Sequence, residues 1–76
     1  MTTVNITDIK TLIGNQLGSN GISDDQRIVE DLGAESADVA NIIAAVEDKY
    51  GISVPEDDIK NLSTVRDVYM EVQKRV

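Results

Sequence analysis

The sequence contains neither cysteine nor histidine. This excludes a disulfide framework, a zinc site built from Cys and His, and the nucleophile–base pairs that depend on either residue. Trp and Phe are also absent, so the core has to be built from aliphatic side chains and two tyrosines. No apolar run approaches the length of a membrane span, and the first residues lack the basic and apolar regions of a signal peptide. We therefore expect a cytoplasmic protein, in which any thiol chemistry comes from an attached group.

Acidic side chains outnumber basic ones by fourteen to seven, which gives a formal net charge of -7. Phosphate contacts need Lys and Arg, so this excess disfavours binding to nucleic acid and to anionic membranes. It favours partners with basic docking surfaces, although an acidic surface that only promotes solubility is the commoner explanation. The length of 76 residues suits one compact domain. We expect a single, monomeric domain over residues 1–76.

The spacing of apolar residues predicts an all-α chain with three longer helices and one short third helix. The predicted helices cover about residues 7–17, 36–50, 53–59 and 65–75. Asn5 or Thr7 is expected to cap the first helix, and Thr64 with Asp67 resembles a capping box before the last. A long loop over residues 18–32 should lie across the bundle, anchored by its apolar residues: Ile22, Ile28, Val29 and Leu32.

Ser36 lies where the second helix is expected to begin. A serine at a helix start, after Gly33, can stand clear of the bundle, and the free N–H groups and positive dipole end tolerate a phosphodiester there. The commonest role of a serine at such a position is nevertheless to cap the helix. A catalytic triad is disfavoured, because histidine is absent and the flanking residues are not Gly-x-Ser-x-Gly.

Residues 30–38, Glu-Asp-Leu-Gly-Ala-Glu-Ser-Ala-Asp, resemble the phosphopantetheine attachment motif of acyl carrier proteins, Asp-Leu-Gly-Ala-Asp-Ser-Leu-Asp. The resemblance extends to residues 12–18, 46–55 and 63–65, and so covers nearly the whole chain. It implies a four-helix bundle of acyl-carrier type that catalyses nothing itself. It also implies that a phosphopantetheinyl transferase moves a 4′-phosphopantetheine arm from coenzyme A to Ser36. The thiol of that arm would carry acyl groups as thioesters for acyl-transferring and chain-extending enzymes of fatty-acid, polyketide or other specialised acyl biosynthesis.

The resemblance also implies roles for residues around Ser36. Glu35, Asp38 and Asp48 are expected on the exposed side of the second helix, with Glu47 beside them. These carboxylates would meet Arg and Lys of partner enzymes. Without the resemblance, these side chains are an ordinary solvated face. Apolar faces that could part for an acyl chain belong to residues that are first of all core residues: Val39, Ile43, Val46, Ile59, Leu62, Val65 and Tyr69. Ala40, Ala44 and Ala45 would leave room for a bulkier cargo if they point inward.

Three positions depart from the family pattern. Glu35 replaces the usual Asp before the serine, Ala37 replaces the usual Leu after it, and Asn41 stands where many fatty-acid carriers have Glu. The missing Leu removes apolar contact area, and Asn41 removes one docking charge. We therefore expect weaker binding to generic fatty-acid synthase enzymes and a specialised pathway.

Two other functions remain open on the sequence. One is an unmodified acidic helical module for protein interaction, in which Ser36 is only a cap. The other is a divalent-ion protein, since acidic residues cluster at 24–25 and 56–58, although neither cluster has the spacing of an EF-hand loop. Weak cation binding is expected there rather than a structural metal site. We also expect a stand-alone carrier rather than a piece of a larger synthase.

Overall fold

The computed structural model describes residues 3–76, so the first two residues of the expected domain lie outside the described part. The chain forms four helices: α1 Ile6–Leu17, α2 Ser36–Tyr50, α3 Glu56–Ile59 and α4 Val65–Arg75. The predicted all-α fold with one short third helix is confirmed, and the bounds predicted for α2 and α4 agree with the structure. Between residues 3 and 76 the only β-pairing is an isolated antiparallel bridge from Arg27 to Thr64.

Side-chain caps and glycines set the ends of the longer helices. The Asn5 side chain accepts a hydrogen bond from the Thr7 amide at 2.8 Å, so Asn5 is the cap of α1 and the alternative cap, Thr7, is wrong. At the other end, Gly18 and Gly51 follow α1 and α2 with φ of 68° and 64°. This left-handed conformation strains any residue with a Cβ, which explains why both helices stop at glycine.

The third helix is shorter than predicted. Pro55 has φ -62° and ψ 148°, so it is extended and α3 begins only at Glu56. Four residues make about one turn, and none of them is buried. α3 is therefore not held by the hydrophobic core.

The start of α4 fastens the long loop to the bundle. The Thr64 hydroxyl accepts from the Asp67 amide at 3.1 Å, and the Thr64 amide donates to the Asp67 carboxylate at 3.0 Å, which confirms the capping box. Just before it, the Ser63 carbonyl accepts from the Ile28 amide at 2.8 Å. The loop thereby crosses the bundle at a fixed place.

The core is aliphatic and lies between α1, α2 and α4. Its most deeply buried side chains come from these three helices: Ile9, Ile13, Ile42, Val46, Val65, Val68 and Val72. Of the predicted loop anchors, Ile28 is buried, and Ile22 and Leu32 pack against the core. Val29 was wrongly predicted as an anchor, because its side chain is 51% exposed.

Candidate functional site

Ser36 is the first residue of α2 and is exposed, while the cap position belongs to Glu35. The Glu35 amide donates a hydrogen bond to the Asp38 carboxylate at 3.0 Å, and the Glu35 carbonyl accepts from the Val39 amide at 3.0 Å. The interpretation of Ser36 as a capping residue is therefore wrong. Its hydroxyl lies one residue inside the helix and faces solvent.

The preceding turn fixes where Ser36 lies. Gly33 has φ 73°, and its amide donates to the Val29 carbonyl at 3.1 Å. The next amide, of Ala34, donates to the Ile28 carbonyl at 3.1 Å, and the Ala34 side chain is buried. Since Ile28 is part of the core, the chain is anchored within two residues of an exposed serine. An exposed hydroxyl next to a backbone segment that is anchored in the core suits a site that another protein modifies.

The first turn of α2 is also suited to a phosphodiester. The first amides of a helix have no partner within the helix, and the dipole places partial positive charge at this end. The Asp38 carboxylate, in the same turn, accepts a hydrogen bond from the Glu35 amide, which satisfies one of these donors. The exposed hydroxyl of Ser36 and the helix start thus fit a covalently attached phosphopantetheine, which Ser36 would hold through its oxygen.

A pocket of about 590 Å³ opens beside Ser36, between the start of α2, the end of the long loop and α3. Its walls are Val29, Ala34, Glu35, Ser36, Val39, Ala40, Glu56 and Ile59. Two of the seven residues predicted to admit an acyl chain, Val39 and Ile59, therefore lie beside the serine.

The other five predicted cavity residues do not line this pocket. Ile43, Val46 and Val65 are buried, and Leu62 and Tyr69 pack against the core. The seven residues therefore do not form one pocket.

Three residues of the pocket wall were not predicted to lie there: Val29, Ala34 and Glu56. Val29 lies one residue before the attachment motif, and its apolar side chain could have drawn attention to it. Glu56 was noted only as part of the acidic cluster at 56–58, because its place in the pocket wall depends on how α3 packs against the bundle.

Small residues cover the exposed face of α2. Ala37, Ala40, Asn41 and Ala44 are exposed, and Ala45 is half-buried. The condition under which Ala40 and Ala44 would leave room for a bulkier cargo, that they point inward, is therefore not met. At 100° per residue Ala37, Ala40 and Ala44 lie opposite Ile42 and Val46, which take the core side of the helix. This stretch of the exposed face is consequently uncharged, although Glu35 beside Ser36 keeps an exposed carboxylate, and Ala40 forms part of the pocket mouth.

The four predicted docking carboxylates are not equally exposed. Glu35 and Asp48 are exposed as expected, whereas Asp38, which was also expected on the exposed side, is half-buried, and so is Glu47. The Glu47 carboxylate accepts a hydrogen bond from the Val54 amide at 2.9 Å. Glu47 therefore joins the end of α2 to the segment that leads to α3.

The acidic pair at residues 24–25, one of the two clusters considered for a divalent ion, is paired with basic side chains. Asp24 pairs with Lys10 at 2.7 Å, Asp25 pairs with Arg66 at 2.9 Å, and the hydrogen bond from Arg66 lowers the pKa of Asp25 below its usual 3.8. Within residues 3–76, no three acidic side chains are grouped to hold a metal ion. In the same part of the chain, none of the helices has the length and apolar character needed to cross a bilayer.

Comparison with known proteins extends the match over most of the chain. A family model described as the phosphopantetheine attachment site matches residues 7–70. The acyl carrier protein of Wolinella succinogenes is 38% identical over 71 residues, which cover 88% of this chain and 93% of that protein. The residues matched by the family model include 30–38 and the whole of α2 and α3.

Solved structures show the same arrangement of helices. A protein of Mycobacterium tuberculosis, proposed to be an acyl carrier protein, superposes with a TM-score of 0.87 at 33% identity, over 91% of this chain and 95% of that chain. The acetyl actinorhodin acyl carrier protein of Streptomyces coelicolor gives a TM-score of 0.77 at 24% identity, over 96% of this chain and 91% of that chain. The second likeness concerns the fold alone.

Proposed function

Because this chain belongs to the acyl carrier proteins, which carry acyl groups and are not enzymes, we propose that Ser36 is its attachment residue for 4′-phosphopantetheine. The observation that carries this proposal is the position of Ser36. It is exposed as the first residue of α2, while Glu35 occupies the cap position. A transferase can therefore reach the hydroxyl without breaking the cap.

The residues around Ser36 hold and present the attached group. The unpaired amides at the start of α2 favour the negative charge of a phosphodiester, and the turn at Gly33 keeps the site clear of the bundle. When attached, the arm supplies the thiol that this cysteine-free chain lacks, and acyl groups are held on that thiol as thioesters. The chain itself contributes position, charge and an apolar surface.

The pocket beside Ser36 is proposed as the place where an acyl chain leaves solvent. Val29, Val39 and Ile59 give its walls apolar character. Burying a CH₂ group is worth about 0.8 kcal/mol, so a chain of a few carbons would gain more from the pocket than from water. The buried residues behind it, Ile43, Val46 and Val65, would be reached only if the helices part.

Partner enzymes are proposed to dock beside Ser36 through basic patches. Glu35 and Asp48 offer exposed carboxylates at the two ends of α2, and Asp38 and Glu47 add to the negative field from half-buried positions. The net charge of -7 would speed encounters with basic surfaces at low salt. These partners include a phosphopantetheinyl transferase and acyl-transferring and chain-extending enzymes of fatty-acid, polyketide or another specialised acyl pathway.

We further propose that the chain is a single, monomeric carrier domain. It would work in the cytoplasm, where coenzyme A is available as the donor of the arm. The large apolar side chains exposed within residues 3–76 are Val29, Met70 and Val76. Val29 belongs to the pocket, and the other two lie on or after α4. Scattered apolar residues of this kind are normal for a monomer.

Incubation with coenzyme A and a broad-specificity phosphopantetheinyl transferase, followed by intact mass measurement, tests the proposal. The wild type should gain the mass of one arm, and Ser36→Ala should gain none. Ser53→Ala is the matched control, because Ser53 is also exposed but lies outside the attachment motif. It should be modified like the wild type. A wild type that stays bare would leave an unmodified interaction module as the better description. A Ser36→Ala variant that is modified would refute Ser36 as the attachment residue.

A further inference from the structure

α3 forms one wall of the pocket beside Ser36 but contributes no buried residue. Its only apolar side chain, Ile59, is half-buried and faces that pocket. A helix of one turn has little stability of its own, so other contacts have to keep it in place. The neighbouring residue, Asp58, provides such contacts.

Asp58 is joined to α4 by a cluster of charged side chains. The Arg75 guanidinium donates to the Asp58 carboxylate and, at the same time, to the Glu71 carboxylate. Within residues 3–76, Glu71 is the one charged residue that is buried, and Arg75 is the cation that satisfies it. Lys74 lies farther away, 3.6 Å from Asp58 and 3.5 Å from Glu71, and its side chain is 62% exposed.

The burial of Glu71 makes this cluster more than a surface ion pair. A carboxylate that leaves water needs a partner, so Glu71 fixes the position of the Arg75 guanidinium. An arginine held in this way presents its remaining N–H groups in a rigid fork, and one of them meets Asp58. The result is a charged link from the inner side of α4 to α3.

We infer that the Asp58–Arg75 pair fixes α3 against α4 and thereby limits how far the pocket beside Ser36 can widen. Asp58 and Ile59 are adjacent in a single turn, so holding one side chain positions the other. An acyl chain that goes deeper than the pocket mouth has to move α3 away from α2, and this link opposes that movement. Asp58 and Arg75 are thus positioning residues that select cargo by length. The inference rests on the proposed function, in which the pocket receives the chain.

Asp58→Ala tests the link without disturbing the buried pair of Glu71 and Arg75. The matched control is Asp24→Ala, because Asp24 also pairs with an arginine, Arg66, but lies in the long loop. The two side chains are almost equally exposed, 32% for Asp24 and 31% for Asp58, and each variant loses one negative charge. Differences between the two variants therefore report on α3 and not on net charge.

Amide hydrogen exchange on the unloaded protein is the first measurement. The amides of Ile59 and Lys60 donate to Pro55 and Glu56 at 3.1 Å, so they report the opening of α3. In Asp58→Ala they should exchange roughly two- to fivefold faster than in the wild type, with the amides of α2 unchanged. In Asp24→Ala they should keep the wild-type rate. Equal rates in the two variants would overturn the inference.

Melting of the acylated protein is the second measurement. The difference in melting temperature between the decanoyl and butanoyl forms should be larger in Asp58→Ala than in the wild type, and unchanged in Asp24→Ala. If exchange is faster but this difference stays the same, the pair holds α3 without governing the cargo, and the inference fails while the carrier function stands. If no arm can be loaded, the proposed function fails, and the exchange rates still decide whether the pair holds α3.

Discussion

Replacement of Glu47 by alanine should destabilise the fold rather than weaken docking alone. The Glu47 carboxylate accepts a hydrogen bond from the Val54 amide at 2.9 Å, and Val54 is only 7% exposed. In Glu47→Ala this partly buried amide loses its acceptor. The segment between α2 and α3 would then lose the contact that fixes its course.

The expected cost follows from that amide. A buried donor without a partner costs about 1–3 kcal/mol, and the better helix propensity of alanine returns only a few tenths. For a domain of this size, 1 kcal/mol corresponds to roughly 4–8 °C in melting temperature, so a loss of about 10 °C is expected. Glu47→Gln keeps an oxygen that can accept from Val54 and should lose less than half as much.

Urea unfolding followed by far-ultraviolet circular dichroism measures these differences, with Asp48→Ala as the control. Asp48 is the next residue along α2 and is exposed, so its loss should change the free energy of unfolding by less than about 0.5 kcal/mol. If Glu47→Ala and Asp48→Ala unfold alike, the hydrogen bond to Val54 does not stabilise the fold. Glu47 would then be a surface residue, as the sequence first indicated.

Three further predictions concern packing, partners and pH. Gly14→Ala should lower the free energy of unfolding, measured by urea titration, by about 1 kcal/mol, because the new Cβ would lie 2.7 Å from the Ser19 carbonyl oxygen. This loss is expected although alanine favours helices, and a gain in stability would contradict the close approach. Ala37→Leu should raise turnover of the loaded protein by a generic ketoacyl synthase, since residue 37 is exposed next to the attachment residue, and unchanged turnover would show that this position makes no partner contact. Hydrogen bonds from the Arg27 backbone amide, and then from its side chain, lower the pKa of Asp31 in the folded protein below 3.8. Asp31 therefore contributes stability that is present above pH 3.8, and this stability is lost as the pH falls through the lowered pKa of the folded protein. Asp31→Asn should therefore lose less stability than the wild type on acid titration below that pH, and parallel curves would contradict this.

Local sequence signals predicted α2 and α4 because each carries its own start and stop. Gly51 ends α2 in a left-handed conformation, and Thr64 and Asp67 satisfy each other's amides at the start of α4. The attachment motif placed Ser36 at the start of α2 in the same way. The alternative that Ser36 only caps the helix stayed open, because the sequence does not show whether a serine is the last loop residue or the first helical one.

Tertiary packing decided what the sequence could not predict. Val29 and Ile28 are adjacent and both aliphatic, yet only Ile28 enters the core, because its amide is bound to Ser63 at the start of α4. Glu47 shows the same limit, since its partner, Val54, lies beyond the end of the helix. The pocket beside Ser36 also depends on where α3 settles, and charged contacts to Arg75 help to determine this position.

Fragmentation mass spectrometry of the protein after treatment with coenzyme A and a competent transferase tests most directly whether Ser36 is the tether. The account predicts a single phosphopantetheine per chain, carried by the fragment that includes Ser36, with every other serine unmodified. An arm on any other residue, or a Ser36 fragment of unchanged mass after exhaustive treatment, would contradict it.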